Sequence, residues 1–334
     1  MSKGNTGSEE QADVLAYKRE RMKRIKGLSS LSYANNKALF WMILGGFDFA
    51  TMGALIHALG SECDWLILAF LRMFMSFVIA LVLTRRAGLK PFLLDRPLLW
   101  LRSLVGCAAM IATFYALTKL PISDVAVITE SRPIWVAILA GFLLGETTSK
   151  RIWLSIILGM AGVILVEHAH ITDQSIAGLA ALFAAFTGAI VMILLRKLKD
   201  IDPRTIVAHF SGTASAVCLV LILILGKEFD FSFMEKPANL LMLAGVGVFG
   251  TVGQLAMTKA FSIGEAPGVA SAGFMRVGFS AGYDLIIWQH AFQLTTLLGV
   301  ALILGSTGGL LKSPQNGDAE EETAEEKAQK IGAG

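Results

Sequence analysis

Ten apolar runs, most of them roughly 20 residues long and so able to cross about 30 Å of hydrocarbon, divide this chain nearly from end to end. They fall near 38–59, 64–84, 99–118, 122–145, 152–167, 176–195, 205–226, 238–258, 267–289 and 293–311. Charged residues make up 16% of the chain, against about 25% in soluble domains, and they gather at the termini and between the runs. The expectation is an all-α membrane protein with ten transmembrane helices.

Lysine and arginine in the short loops set the orientation. With the N-terminus inside, the inner side receives the basic tail 1–37, Arg85, Arg86, Lys90, Arg96, Lys150, Arg151, Arg196, Lys197, Lys199, Arg204 and Lys259. The outer loops hold Lys119, Lys227 and Lys236. Both termini are therefore expected in the cytoplasm. The basic tail has no cleavage pattern of a signal peptide. Leu15, Met22 and Ile25 within it can lie along one helix face on an anionic membrane surface. The acidic tail 312–334 is too poor in apolar residues to offset the entropy of ordering. Net charge follows the topology and does not point to nucleic acid. Cys63, Cys107 and Cys218 have no metal-ligand spacing, so neither a metal, a cofactor nor a disulfide framework is expected.

The two halves repeat. Ile67-Leu68-Ala69-Phe70 matches Ile206-Val207-Ala208-His209 at a spacing of 139, and Ala116-Leu117-Thr118-Lys119 matches Ala256-Met257-Thr258-Lys259 at 140. Arg132 matches Arg276 at 144, with Leu144-Gly145-Glu146 falling on Trp288-Gln289-His290. Five crossings are an odd number, so a second copy, 176–311, is inverted relative to the first, 38–167. Inverted repeats with a site at their midplane interface are the build of many secondary transporters.

These residues resemble the EamA family of the drug/metabolite transporter superfamily. The resemblance rests on Leu71-Arg72, Tyr115-Ala116-Leu117, Ser131-Arg132-Pro133, Leu144-Gly145-Glu146 and Gly162-Val163-Ile164-Leu165. The second half departs from the pattern, with His290 at the acidic position and Val277 at the proline. The resemblance implies a ten-helix carrier of the cell (inner) membrane, often an exporter of amino acids or other small metabolites. It also implies a cavity lined by the first, third, fourth, sixth, eighth and ninth helices.

Ionisable residues inside apolar helices are costly and mark function by default. Asp48, Arg72, Glu130, Arg132 and Arg276 fall near helix centres, while Asp284 lies farther out. Arg102, His57, His209 and His290 sit near helix ends, where side chains can reach the interface. Glu130 and Arg132, two positions apart, are expected to project to different sides of a continuous helix. Pro133 removes the helical partner of the Thr129 carbonyl, which then needs another donor, a water or a substrate group. Arg276, Ser280 and Asp284 recur every four residues as a polar stripe.

Arg132 and Arg276, from equivalent helices, are candidates to hold a carboxylate or phosphate through their two-pronged donors. The competing reading pairs each arginine with a buried acid, and Arg72 is read as a structural partner of Asp48. Glu130, Asp48, Tyr115, Gln254 and Ser280 complete the candidate substrate site, with Thr251 nearby. Glu130, Asp48 and Asp284 are candidate proton carriers, since burial favours the neutral carboxyl. Glu146 reads as a cap or loop contact. Gly278-Phe279-Ser280-Ala281-Gly282 fits G-x-S-x-G, but its place in a membrane helix makes Gly278 and Gly282 a packing pair. A channel or receptor is the rival class, and an intramembrane serine hydrolase a weaker one. The expected partners are the bilayer and a small-molecule substrate, with a homodimer left open.

Overall fold

The computed structural model describes residues 34–59, 63–93, 95–117, 119–120, 122–167, 175–227, 232–287, 289 and 293–311. Residues 1–33 of the basic tail, the acidic tail 312–334 and His290 lie outside the described residues, as does the side chain of Asp284, while 34–37 already belong to the first helix. The helices are α1 (Ala34–Leu59), α2 (Trp65–Arg86), α3 (Pro97–Leu117), α4 (Ile122–Thr129), α5 (Arg132–Leu144) and α6 (Lys150–Glu167). There follow α7 (Ser175–Lys197), α8 (Pro203–Ile224), α9 (Pro237–Ile263), α10 (Ala266–Ala272), α11 (Met275–Ile286) and α12 (Leu294–Leu311).

α1, α2, α7, α8, α9 and the stretch Val125–Leu144 are long and apolar enough to cross a membrane. Phe142, Ile176, Ile224, Leu241 and Leu294 lie on the outer surface, which only an apolar solvent makes cheap. Most helices begin and end within a few residues of the apolar runs. α9 continues to Ile263, so Lys259 belongs to the helix rather than a loop. The run Ala260-Phe261-Ser262-Ile263 carries the helical pattern one turn further.

The main departure from continuous spans is that two of them are broken. α4 stops at Thr129 and α5 begins at Arg132, with Pro133 in its first turn. Proline is welcome there because the first N–H groups of a helix have no internal partner. The later span breaks likewise between Ala272 of α10 and Met275 of α11, at Gly273 and Phe274.

The helices pack as antiparallel pairs. In the α2–α8 pair, Leu66 and Ile67 meet Ile222, whereas Ala80 meets Val207 and Ala208. Both helices start from an aspartate cap of near-identical geometry, Asp64 (φ −58°, ψ 133°) and Asp202 (φ −59°, ψ 132°). Each carboxylate accepts from the backbone N–H two residues on, at 2.8 Å and 2.9 Å. Hydrogen bonds from the Arg204 guanidinium hold the Asp202 carboxyl below the ordinary carboxylate value. α3 runs antiparallel to α7, with Leu99 near Ile193 and Leu195 and Ala116 near Ala177 and Ala181. α1 crosses α9 where Gly45 meets Gly253.

α6 and α12 meet backbone to backbone at a pair of glycines, Gly162 and Gly299. A methyl on Gly162 would lie 2.6 Å from the Gly299 carbonyl oxygen, and one on Gly299 would lie 2.7 Å from that of Gly162. Ser155 fastens the other end, donating to the Ser306 carbonyl at 3.0 Å. Because the obstructing atoms are backbone, neither helix can give way by changing a rotamer. Gly162→Val is expected to cost about 1–3 kcal/mol as overpacking and to lower the thermal transition of the detergent-solubilised protein. Gly305→Ala, on the same helix pair but with nothing within 4 Å, should leave the transition where it is.

Candidate functional site

The two helix breaks face each other across a cavity of about 260 Å³. Met42, Gly46, Phe49 and Met52 of α1 form one wall, spaced to share a helix face, and Arg72 reaches in from α2. Glu130, Arg132 and Pro133 come from the first break, Met192 from α7, and Gln254 and Met257 from α9. Ala270, Gly273 and Arg276 close it from the second break. A wider hollow of about 520 Å³ lies between Asp95–Leu98 and Lys197–Asp200. It sits in loop ends, where the Arg96–Asp200 pair is more than half exposed.

The break at 130–131 creates the site's electrostatics. With Pro133 unable to donate, the Thr129 carbonyl accepts instead from Arg132 Nε at 2.8 Å. The donor is thus the chain's own arginine, neither water nor substrate. Arg132 Nη2 then donates to Glu130 Oε1 at 3.0 Å. This corrects the expectation that the two side chains diverge. That expectation assumed a continuous helix, whereas Glu130 precedes the turn and Arg132 opens the next helix. Arg276 Nη2 donates to the same oxygen of Glu130. Both arginines therefore share one carboxylate, as the acid-pairing reading anticipated. The arginine side chains remain 27% and 37% exposed, while that of Glu130 is 7% exposed; all three residues line the cavity.

Small residues make room for these side chains. A methyl on Gly188 of α7 would lie 2.8 Å from Arg132 Cδ, and one on Gly46 would lie 3.2 Å from the Arg276 backbone nitrogen. Arg72 also lines the cavity, and its buried Nε has no hydrogen-bond partner among the described residues. It forms no ion pair with Asp48, correcting the proposed structural pairing. Asp48 is 4% exposed, with Oδ2 unpartnered among the described residues. Its Cβ packs 3.1 Å from the position a methyl on Gly253 would take, and it does not line the cavity.

Other candidates lie elsewhere. Tyr115 is 44% exposed on α3, and that helix contributes nothing to the lining; α2 stands in its place through Arg72. Thr251 is buried and donates to Ser76 Oγ at 3.0 Å. Of the polar stripe on α11, Arg276 lines the cavity, Ser280 does not, and the Asp284 side chain is outside the described residues. Thr51 on α1 meets Tyr283 of that helix, oxygen to oxygen at 2.6 Å. Arg102 and His209 do not reach an interface, because each finds an internal partner. Arg102 is 1% exposed with its guanidinium 4.0 Å from the Phe210 ring centre. His209 Nδ1 bonds Ser103 Oγ at 2.9 Å with Trp100 edge-on. Glu146 follows the left-handed Gly145 (φ 69°). It accepts from Arg196 Nε at 2.7 Å and from the N–H of Ala266, the first residue of α10, at 2.9 Å. It is a loop contact, as the sequence suggested.

The four methionines of the lining were not foreseen. Met42, Gly46 and Phe49 follow the i, i+4, i+7 rhythm of one helix face, a signal that marks a face but not whether it meets a neighbour or a cavity.

Comparison with known proteins places the chain. It matches the EamA-like transporter family over residues 36–167 and again over 175–311. It is 24% identical over 267 residues to the pseudopaline exporter CntI of Pseudomonas aeruginosa, covering 78% of this chain and 91% of that one. It is 26% identical to human solute carrier family 35 member G1, covering 81% and 78%. The S-adenosylmethionine uptake transporter of Rickettsia bellii is 24% identical, with 80% and 90% covered. A solved crystal structure superimposes with a TM-score of 0.74 at 16% identity, covering 84% of this chain and 99% of that one. The relatives named here are membrane transporters or carriers, and this multi-pass membrane chain belongs to the EamA-like transporter family.

Proposed function

We propose that the protein is a secondary transporter that exports a small polar metabolite with an acidic group, an amino acid or organic anion, by alternating access. One observation carries the reading: three guanidinium groups, of Arg72, Arg132 and Arg276, face one carboxylate, Glu130, around a cavity large enough for a small molecule. That surplus of positive charge lies in a membrane interior, where an uncompensated charge costs several kcal/mol, and an anionic ligand offsets it. Gln254 supplies amide groups, and the methionines and Phe49 an apolar wall.

The reading takes 38–167 and 176–311 as two inverted five-helix repeats, ten crossings in all. It is supported by the antiparallel pairing of α2 with α8 and of α6 with α12, which hold equivalent positions in the two halves. The matched caps Asp64 and Asp202 point the same way, as do helix breaks 143 residues apart and a family match in each half. Rocking one repeat against the other would open the site to each side in turn. Export follows the family resemblance and the exporter among the relatives, although another relative is an uptake transporter. The bacterial relatives favour a cell inner membrane, and the loop charges put both termini in the cytoplasm.

A thermal-stability screen of purified protein against anionic, zwitterionic and cationic metabolites tests the site, since a ligand of the folded state raises apparent stability. One acidic class should stabilise the wild type and fail to stabilise Arg132→Ala and Arg276→Ala. Lysine keeps the charge but lacks the paired donors, so Arg276→Lys should weaken binding by about tenfold, the 1.4 kcal/mol of one lost charged hydrogen bond. Unchanged affinity in Arg132→Lys and Arg276→Lys would make the arginines scaffold.

Asp48 is the best-placed proton carrier in this scheme, because it is buried, has Oδ2 unpartnered among the described residues and stands beside the cavity wall. In proteoliposomes loaded with the stabilising compound, an imposed pH gradient should accelerate wild-type flux and leave Asp48→Asn flux unchanged. A wild type indifferent to the gradient would leave a uniporter or exchanger.

A further inference from the structure

Glu130 is in an unusual position for a salt-bridge partner. It stands at the helix break, belongs to neither α4 nor α5, and offers one oxygen, Oε1, to both Arg132 Nη2 and Arg276 Nη2. Its Oε2 accepts no hydrogen bond among the described residues. The two arginines are held from other directions. Arg132 is tied by Nε to the Thr129 carbonyl and packed against Gly188, and the Arg276 backbone is packed against Gly46. Removing the carboxylate therefore leaves the Arg132 guanidinium pinned by its backbone contact, and that of Arg276, which bonds Glu130 alone among the described residues, open to another anion at the same point.

We propose that Glu130 is an internal stand-in for the substrate's acidic group, occupying the anion seat between Arg132 and Arg276 until a carboxylate or phosphate displaces it. The proposal rests on the reading of this cavity as an anion site. Three features support it. The donors that Glu130 uses are terminal Nη2 atoms of two arginines that both line the cavity. Both arginine side chains are several times more exposed than the acid they share, so a ligand meets the donors before it meets the carboxylate. The lining retains a cationic excess even with Glu130 in place, so an incoming anion is drawn toward the occupied seat. Arg276 lies in the second half of the sequence and Glu130 in the first, so the stand-in also ties one helix break to the other. A bound anion replaces that tie with its own contacts.

Competition of this kind weakens apparent affinity in inverse proportion to the fraction of time the seat is empty. A seat filled about 90% of the time costs about tenfold. Glu130→Gln removes the charge while keeping the length of the side chain. The test measures binding of benzoate, methylphosphonate and sulfate, with benzamide as the uncharged control, to detergent-purified wild type, Glu130→Gln and Glu130→Asp by thermal shift and calorimetry. The expected result is at least about tenfold tighter binding of one or more of the three anions by Glu130→Gln, with benzamide unaffected. Glu130→Asp, whose carboxylate is drawn back by one methylene, should fall between them and carries the test if Glu130→Gln does not fold. Anion binding by the wild type that is unchanged or weakened in the Glu130 variants overturns the stand-in and leaves the anion site intact. Absence of binding of all three anions by wild type and variants alike overturns the anion site, and the stand-in with it.

Discussion

In hydrocarbon, a backbone carbonyl without a donor costs several kcal/mol, and this constraint organises the centre of the molecule. Pro133 withdraws the donor that Thr129 would have used, and the repair comes from the next side chain back, Arg132 Nε. One substitution in the helical ladder thereby does three things. It ends α4, it starts α5, and it fixes a guanidinium group whose remaining prong points at Glu130. The arginine is oriented because the backbone needs it, not because a neighbouring charge happens to lie near.

The membrane interior holds two contrasting ways of keeping a cation. Arg132 and Arg276 are held by a carboxylate and stay partly open to a cavity. Arg102 is closed in completely, with Nε and Nη1 unpartnered among the described residues and its charge over the face of Phe210. A ring face is worth about 2 kcal/mol to a desolvated cation, and it needs no second charge in the apolar core. The first arrangement can exchange partners and the second cannot.

Much of this architecture was legible in the residues. The apolar runs located the helices to within a few positions, because hydrophobic length is set by bilayer thickness. The match of Arg132 with Arg276 across the two halves placed both arginines in one site, and Glu146 was read correctly as a loop contact. The failures share a cause. Side-chain direction was inferred from an unbroken 3.6-residue rhythm, which fails where the rhythm stops, at Glu130-Ser131 and Gly273-Phe274. One proline, Pro133, and one glycine, Gly273, carried that information, yet the apolar run across each break remained continuous. Pairing also escaped: Arg72 and Asp48 are both central and opposite in charge, but sequence order says nothing about which helices touch. Tyr115 was put at the site by its place in the family pattern, and it is not among the residues that line the cavity.

The methionine wall of the cavity has a consequence for what the charged groups must do. Met42, Met52, Met192 and Met257 are unbranched and polarisable, with several low-energy shapes each. A surface of that kind moulds itself to many contours and rejects few of them, so it resembles putty more than a lock. Discrimination then has to come from the parts that cannot flex, the guanidinium pair and the backbone that pins it. Such a carrier would read the head group of its cargo closely and its body loosely, and would accept families of compounds that share an acid and differ in everything attached to it.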